Sequence, residues 1–116
     1  MDKVYIVIVT YNGSKWLKRC LTSLSASALK SEVVIVDNNS SDDSVKIIET
    51  NFPKVVILKQ THNLGFGKAN NIGISYALNQ GAHSIFLLNQ DTYIETETLS
   101  VLMKASQRNK DYGILS

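Results

Sequence analysis

The sequence predicts an α/β fold in which a parallel sheet is covered by helices on both faces. Short apolar runs rich in β-branched residues recur along the chain, as expected for strands buried on both faces of a parallel sheet. Each gap between these runs holds a segment with the apolar period of a helix. With 116 residues, 44% of them hydrophobic, the chain has the length and composition of one compact domain.

The first strand and the first helix lie at the amino end of the sequence. Residues 4–9, V-Y-I-V-I-V, are a nearly continuous apolar run and predict the strand. Residues 14–25 have the period of an amphipathic helix. Its sheet-facing side is expected to hold Trp16, Leu17, Cys20, Leu21 and Leu24, and its solvent side Lys15, Lys18 and Arg19. We interpret Cys20, the only cysteine, as a core residue, with a reactive thiol as the alternative.

The second strand and the second helix are predicted at residues 33–36 and 42–50. We expect Ser41 to be the N-cap of this helix, because its hydroxyl can accept a hydrogen bond from the first turn. Asp42 and Asp43 would then lie in the first turn, where the helix dipole favours negative charge. The expected core contacts of the helix are Val45 and Ile48.

The rest of the chain repeats the same alternation of strand and helix. A third strand is predicted at residues 55–58 and a third helix at 66–79, which Gly81 would close in a left-handed conformation. The fourth strand follows at 85–88 and a fourth helix at 97–108.

The last residues of the sequence have the pattern of a further strand. Residues 112–115 begin such a run, and no chain follows to complete it. We therefore expect the sequence to be a fragment.

The order of these elements predicts the topology of a Rossmann-like sheet. Repeated strand–helix–strand units cross over in a right-handed sense, and the commonest arrangement has strand order 3-2-1-4. The strand order then reverses between strands one and four, and ligands of open α/β sheets bind beyond the carboxyl ends of the strands at such a switch point. Four polar residues are expected to meet there: Thr10, Tyr11, Asn12 and Asp91.

Composition argues against two classes of protein. The formal net charge is only +2 and 19% of the residues are charged, so we expect no nucleic acid as partner. No segment approaches the roughly 20 apolar residues of a membrane span, and no signal peptide is recognisable, so we expect no transmembrane segment. A cytoplasmic location is predicted, either free or at the cytoplasmic face of the membrane.

The ends of strands one and two carry groups that suit a nucleoside. Thr10, Tyr11 and Asn12 offer a hydroxyl, a ring and an amide, which can hold a base by stacking and hydrogen bonding. The alternative is a simple turn in which Asn12 caps the first helix. Asp37 can accept a hydrogen bond from a base N–H or a ribose hydroxyl, with Asn39 beside it, or can instead fasten a turn.

The segment after strand three, N-L-G-F-G-K-A-N-N, suits an anion. Its glycines allow close approach of the backbone, the helix N-terminus favours negative charge, and Lys68 adds a positive charge. Asn70 is a poor helix former, which indicates a polar task. The pattern differs from the dinucleotide fingerprint, which follows strand one and ends in a third glycine, so a nicotinamide cofactor is not expected.

Strand four ends abruptly in Asn89, Gln90 and Asp91 at the predicted reversal. Mg²⁺ or Mn²⁺ takes one or two carboxylates from a protein and completes its shell with phosphate oxygens and water. Asp91 is therefore predicted as a metal ligand, and a diphosphate would complete the site. The alternative is that Asp91 only caps a turn together with Thr92 and Thr96.

Four blocks in order, V-I-V-T-Y-N-G, V-V-I-V-D-N-N-S-S-D, N-L-G-F-G-K-A-N-N-I-G-I and F-L-L-N-Q-D-T, resemble family 2 glycosyltransferases of the GT-A fold, especially the rhamnosyltransferase-like branch. The blocks cover nearly the whole chain. The resemblance implies that this is the nucleotide-sugar-binding half of a metal-dependent enzyme of bacterial cell-surface polysaccharide synthesis, and that the acceptor-binding half is absent.

The resemblance also assigns roles to individual residues. The residues facing the nucleoside would be Thr10, Tyr11 and Asp37, and those beside the base and diphosphate Asn63, Gly65, Lys68 and Asn70. Asp91 would hold Mg²⁺ or Mn²⁺, although Asn89 replaces the first carboxylate of the family's Asp-any-Asp motif and Gln90 stands where this branch often has proline.

The same resemblance implies the reaction. An acceptor hydroxyl would displace the nucleoside diphosphate with inversion while a carboxylate base removes its proton. The donor would be a UDP- or dTDP-sugar and the acceptor a glycan or lipid-linked glycan bound by the missing half. That half would also supply the base, beyond Ser116, so we expect this chain to bind nucleotide without efficient transfer.

Two other classes fit the fold less well. A nucleotidyltransferase normally has a glycine-rich basic loop after strand one, and the segment from Thr10 to Gly13 is too short and uncharged for that. A non-enzymatic flavodoxin-like or receiver-like binding module shares the alternation of elements. A receiver would require an acidic pair after strand one, which this sequence lacks.

Overall fold

The computed structural model describes residues 3–26, 30–91 and, for the backbone only, 113–115. Its elements in chain order are β1 (Val4–Thr10), α1 (Ser14–Ser25), β2 (Glu32–Asp37), α2 (Ser44–Asn51), β3 (Val56–Lys59), α3 (Phe66–Asn79), β4 (Ser84–Asn89) and β5 (Gly113–Leu115). The predicted order is confirmed for every element within these residues. The predicted helix at 97–108 lies outside them.

The strands form one parallel sheet in the order β3-β2-β1-β4-β5. This confirms the predicted order 3-2-1-4. The strand that begins in the predicted segment 112–115 adds to the edge of β4, where Phe86 pairs with Gly113. β1 is central, and its carboxyl end lies between Asp37 of β2 and Asn89 of β4. The reversal of the strand order therefore falls between β1 and β4, as predicted.

Helices cover both faces of the sheet, because alternate strand residues point to opposite sides. One core packs α1 and α2 against the sheet and includes Ile6, Ile8, Leu17, Leu21, Ile35, Ile48, Phe86 and Leu88. The other face packs against α3 and includes Tyr5, Val7, Val9, Val34, Val36, Ala69, Ala77 and Ile85. β1 is buried along its whole length, which explains its continuous apolar run.

Gly73 sets the distance between α3 and the sheet. A Cβ atom at this position would lie 2.3 Å from Cγ1 of Val7 and 3.2 Å from Cγ2 of Val36. The helix therefore packs on β1 and β2 at a distance that only a residue without a side chain permits. Just after the carboxyl end of α3, Gly81 has φ +86°, which confirms the predicted left-handed conformation that closes the helix.

The prediction that Trp16 faces the sheet is wrong. Trp16 is 39% exposed, whereas Leu17, Cys20, Leu21 and Leu24 are buried. These four residues already fill the stripe that α1 presents to the sheet, and Trp16 lies one residue, or about 100° of helical rotation, to its side. Instead, the Trp16 ring lies beneath the amine of Lys15, with 5.8 Å between the nitrogen and the ring centroid.

The predicted start of α2 is also wrong. The helix begins at Ser44, so Asp43 occupies the N-cap position and Ser41 does not cap it. The physical reason is that Asp42 lies in the preceding turn, where its carboxylate accepts the backbone N–H groups of Ser14 and Ser44. Of the expected core contacts, Ile48 is fully buried and Val45 is partly buried.

Candidate active site

The turn after β1 is fastened to the loop after β2. Asn12 has φ +50°, which asparagine tolerates, and its side-chain oxygen accepts the N–H groups of Ser41 at 2.8 Å and Asp42 at 3.3 Å. The N–H of Asn12 in turn donates to Oγ of Ser40. The alternative in which Asn12 caps α1 is therefore wrong, because its side-chain oxygen bonds to the neighbouring loop.

Asp42 of that loop and Ser44, the first residue of α2, cap α1 instead. The N–H of Gly13 donates to Oγ of Ser44 at 2.9 Å, and the N–H of Ser14 donates to Oδ2 of Asp42 at 3.1 Å. Burial by itself would raise the pKa of the Asp42 carboxyl, but the hydrogen bonds from Ser44 and Ser14 outweigh it and lower the pKa to about 2. A carboxylate thus occupies the place where an anion would bind at the N-terminus of α1.

Asp37 is used within its own loop. It is 3% exposed, and its carboxylate accepts the Ser40 hydroxyl at 2.6 Å and the Ser40 N–H at 3.2 Å. This is the turn-fastening role that the sequence left as an alternative to nucleoside binding. Asn39, beside it, is exposed and has φ +66°.

Asn38 was missed by the sequence analysis. It is 2% exposed and connects the loop after β2 to the loop before α3: its Nδ2 donates to the carbonyl of Gly65, and its Oδ1 accepts the N–H of Leu64, both at 3.3 Å. In the sequence it is one of two adjacent asparagines, and nothing in the pattern indicates which one turns inward. Asn63 adds a local bond from its Oδ1 to the N–H of Gly65 at 2.8 Å.

The N-terminus of α3 differs from that of α1. Gly65, with φ +86°, occupies the N-cap position and provides no side-chain cap. In the part of the chain that the structure describes, the N–H groups of Phe66, Gly67 and Lys68 have no acceptor. The side chain of Lys68 is exposed in the same turn. The partial positive charge of this helix end is therefore not offset by a cap from the described residues.

Asn70 follows in the first turns of α3 and is 6% exposed. Its side chain makes no hydrogen bond to the described residues, and none of its polar atoms is buried without a partner. The polar tip therefore reaches solvent while the rest of the side chain packs beside Ala69 on the sheet side of the helix.

The end of β4 contacts the end of β1. Oε1 of Gln90 accepts the hydroxyl of Thr10 at 2.6 Å and the N–H of Tyr11 at 3.2 Å. Asn89 is partly buried and Asp91 is exposed, and the Asp91 carboxylate accepts no hydrogen bond from the described residues. Beneath them lies the buried thiol of Cys20.

Cys20 confirms the interpretation as a core residue. It is 1% exposed, and its Sγ lies 4.0 Å from the carbonyl oxygen of Asn89. Burial, and then the negative charge of Asp91, raises the pKa of its thiol to about 12, so it stays protonated at neutral pH.

These elements enclose a cleft of about 420 Å³ at the carboxyl ends of β1 and β4. The residues lining it are Val9, Tyr11, Asn38, Asn63, Gly65, Phe66, Asn89, Gln90 and Asp91. The structure therefore brings together five predicted site residues, namely Tyr11, Asn63, Gly65, Asn89 and Asp91. The other predicted residues, Thr10, Asn12, Asp37, Asn39, Lys68 and Asn70, do not line it. Thr10 is fully buried behind Gln90.

A larger cavity of about 520 Å³ lies elsewhere, near the amino ends of β2 and β3, between Leu21, Phe52 and Val55. It contains none of the predicted site residues. The two cavities differ in chemistry as well as in size: only the smaller cleft combines a carboxylate, that of Asp91, with the uncapped N-terminus of α3.

The described residues contain neither a cluster of metal ligands nor a membrane-spanning helix. Among residues 3–26 and 30–91, no three His, Cys, Asp or Glu side chains cluster closely enough to hold a metal ion. Over the same ranges, no helix is both long enough and apolar enough to span a membrane.

Comparisons with known proteins show the family and the fold of the chain. The chain is 37% identical over 105 residues to a dTDP-rhamnosyl transferase of Shigella flexneri, covering 87% of this chain and 33% of that protein. Among solved structures, TarS of Staphylococcus aureus in complex with UDP-GlcNAc has a TM-score of 0.81 and 27% identity over 91% of this chain and 31% of that one.

A more distant structure shares the fold. It is a mannosyltransferase of Pyrobaculum calidifontis in complex with GDP-Man and Mn²⁺, with a TM-score of 0.74 and 19% identity over 90% of this chain. The chain spans about a third of the length of each of these proteins. Residues 5–116 match the profile of Glycosyl transferase family 2, nearly the whole sequence. The chain therefore belongs to family 2 of the glycosyltransferases, and its described part has the GT-A fold that the sequence predicted.

Proposed function

We propose that this chain provides the donor site of an enzyme that transfers a sugar from a nucleoside diphosphate to an acceptor hydroxyl. The observation that supports this most directly is the cleft at β1 and β4, which joins an exposed ring, an uncapped helix N-terminus and a free carboxylate. A nucleotide sugar needs these three things: a surface for its base, donors for its diphosphate and a ligand for its metal.

The base and diphosphate are assigned to opposite walls of this cleft. The Tyr11 ring is 47% exposed and offers a face on which a base can stack. The diphosphate would lie against the N–H groups at the start of α3, with the charge of Lys68 and the amides of Asn63 and Asn70 close by. Thr10, Asn12 and Asp37 support the site through the hydrogen bonds that fasten its loops. Asn39 has an exposed side chain that can contact the nucleoside.

Asp91 is the proposed ligand of Mg²⁺ or Mn²⁺. Its carboxylate is exposed at the cleft, accepts no hydrogen bond from the described residues and has the amide of Asn89 nearby, so the donor set consists of the oxygens that hard cations prefer. One carboxylate is enough when phosphate oxygens and water complete the shell. When bound, the metal would offset the charge of the departing diphosphate.

The donor is proposed to be a UDP- or dTDP-sugar. The relative from Shigella flexneri is named for dTDP-rhamnose, and the structure of TarS contains UDP-GlcNAc. The acceptor, a glycan or a lipid-linked glycan, and the catalytic base are assigned to parts of the enzyme outside the described residues, and we place the reaction in the cytoplasm or at its membrane surface. The glycosyltransferases named above give no support to a nucleotidyltransferase or to a non-enzymatic module.

Calorimetric titration of UDP and dTDP into this chain, with and without Mn²⁺, tests the proposal. We expect Mn²⁺ to strengthen binding and Asp91→Ala to remove that gain, about a tenfold or larger loss for a charge-assisted contact. Asp43→Ala is the matched control, because Asp43 is an exposed aspartate outside the cleft and its side chain caps nothing. Binding that is equal with and without Mn²⁺ would refute the metal role of Asp91, and no binding by a folded chain would refute the donor site.

A further inference from the structure

The side-chain amide of Gln90 holds the backbone of Tyr11 on both sides. Its Oε1 accepts the N–H of Tyr11 at 3.2 Å, and its Nε2 donates to the carbonyl oxygen of Tyr11 at 3.4 Å. The same Oε1 accepts the Thr10 hydroxyl at 2.6 Å. We call these three residues the Gln90 clamp. It connects the end of β4 to the end of β1 through side-chain bonds, beyond the last strand pair that the backbone forms, Val9 with Asn89.

Gly13 lies directly against this amide and leaves room for it. Its φ is −98°, which other residues adopt without strain, so the backbone conformation does not require glycine here. The required feature is space: a Cβ on Gly13 would lie 2.2 Å from Oε1 of Gln90 and 2.7 Å from Oγ1 of Thr10. A glycine at position 13 therefore leaves room for the Gln90 clamp beside the turn after β1.

The chemistry of the clamp requires an amide of this length. The Tyr11 backbone presents one hydrogen-bond donor and one acceptor. A primary amide can bond to both, because it carries a carbonyl acceptor and an NH₂ donor. Glutamate can accept but cannot donate when ionised, methionine can do neither, and asparagine is one methylene shorter. The side chain is thus matched to Tyr11, although neither partner is close to the other in sequence.

We infer that Gln90 is a positioning residue that fixes the Tyr11 ring relative to the Asp91 carboxylate. The inference rests on the proposed function, in which Tyr11 stacks on the base and Asp91 binds the metal at the diphosphate. Because Gln90 directly precedes Asp91 and bonds to the backbone of Tyr11, it sets the distance between the residue assigned to the base and the residue assigned to the metal at the diphosphate. Gln90 itself acts through Tyr11, and we assign it no contact with the reacting atoms.

A double-mutant cycle on nucleotide binding tests this inference. Gln90→Met is expected to weaken the binding of UDP in the presence of Mn²⁺ about tenfold, the size of effect typical of coupled hydrogen-bonded groups. In a Tyr11→Ala background the same substitution is expected to weaken binding less than twofold, since the ring it positions is gone. Thr10→Val, which removes one bond of the clamp and leaves both bonds to Tyr11, should give a smaller loss than Gln90→Met.

The outcomes separate this inference from the proposed function. If Gln90→Met causes the same loss with and without the Tyr11 ring, Gln90 has only a general structural role and the inference is overturned. No loss in either background overturns it as well, and circular dichroism identifies any variant that fails to fold, in which case Thr10→Val provides the cycle with Tyr11→Ala. If the unaltered folded chain binds neither UDP nor dTDP, the proposed function fails and the inference fails with it.

Discussion

Helices α1 and α3 both begin at the carboxyl edge of the sheet, on opposite faces, yet their N-termini are used in opposite ways. At α1 the N–H groups of Gly13 and Ser14 are bonded to Ser44 and Asp42, so a carboxylate already sits at the helix end. At α3 a glycine precedes the helix, and the N–H groups of its first turn have no acceptor among the described residues.

The difference shows that the loop, and not the fold, decides where an anion can bind. Each helix end has a partial positive charge of roughly half a unit, and a dinucleotide-binding sheet uses the end of its first helix for the pyrophosphate. In this chain Asp42 closes that position, and the start of α3 remains open beside Asp91. Under the proposed function, the same topology would therefore direct the phosphate groups to a different helix.

The largest effect is expected from moving α3 away from the sheet. In Gly73→Ala the added methyl group would lie 2.3 Å from Cγ1 of Val7, so the helix or the strand must shift. We expect the free energy of unfolding to fall by about 1–3 kcal/mol, as for other overpacked cores, with a corresponding drop in the urea midpoint.

Gly67→Ala is the matched control for this substitution. Gly67 lies in the same helix, but a Cβ there would meet no atom within 4 Å. The change should leave stability unaltered or raise it by up to about 1 kcal/mol, because alanine favours the helix. Equal destabilisation by the two substitutions would show that space at Gly73 is not what fixes the position of α3.

A smaller effect is expected from opening the N-terminus of α1. Asp42→Asn removes the charge that Ser14 and Ser44 stabilise, and we expect a loss of about 1–2 kcal/mol at pH 7, reduced from the full pKa shift because the carboxylate is only partly buried. The folded-state pKa is depressed to about 2, so this contribution is present above the unfolded value of about 4 and is lost as pH falls through 2. Urea unfolding of both proteins between pH 2 and pH 7 measures it.

The control for Asp42 is its neighbour in the sequence. Asp43 has the same charge and occupies the N-cap position of α2, but its side chain makes no capping bond. Asp43→Asn should therefore change stability by less than about 0.5 kcal/mol. If the difference in stability between the unaltered chain and Asp42→Asn stays constant down to pH 2, Asp42 does not cap α1 as a carboxylate.

The sequence predicted the helices and strands well but not the side-chain hydrogen bonds that connect their ends. The bounds of α1 and α3 were predicted to the residue, because apolar periodicity and flanking glycines specify where a helix packs. The partners of Asn38 and Gln90 could not be predicted, because each amide lies in a polar run and bonds to a loop 26 to 79 residues away. Trp16 was misplaced for a related reason, since a hydrophobic side chain at the edge of an apolar stripe gives no sign of which way it turns.

The smallest effect on nucleotide affinity is expected from a substitution of Lys68. It tests whether the N-terminus of α3, unlike that of α1, contacts the diphosphate. Lys68→Ala should weaken binding of UDP about two- to fivefold, the effect of one exposed charge at a helix end, and leave binding of uridine unchanged, because only the diphosphate meets that charge. The loss should shrink at high salt, where exposed charges are screened. Lys54→Ala is the matched control, since Lys54 is also an exposed lysine but lies at the cavity near the amino ends of β2 and β3. An equal loss for UDP and uridine would mean that the diphosphate does not contact the start of α3. The difference between the N-termini of α1 and α3 would then not explain where the phosphate groups bind.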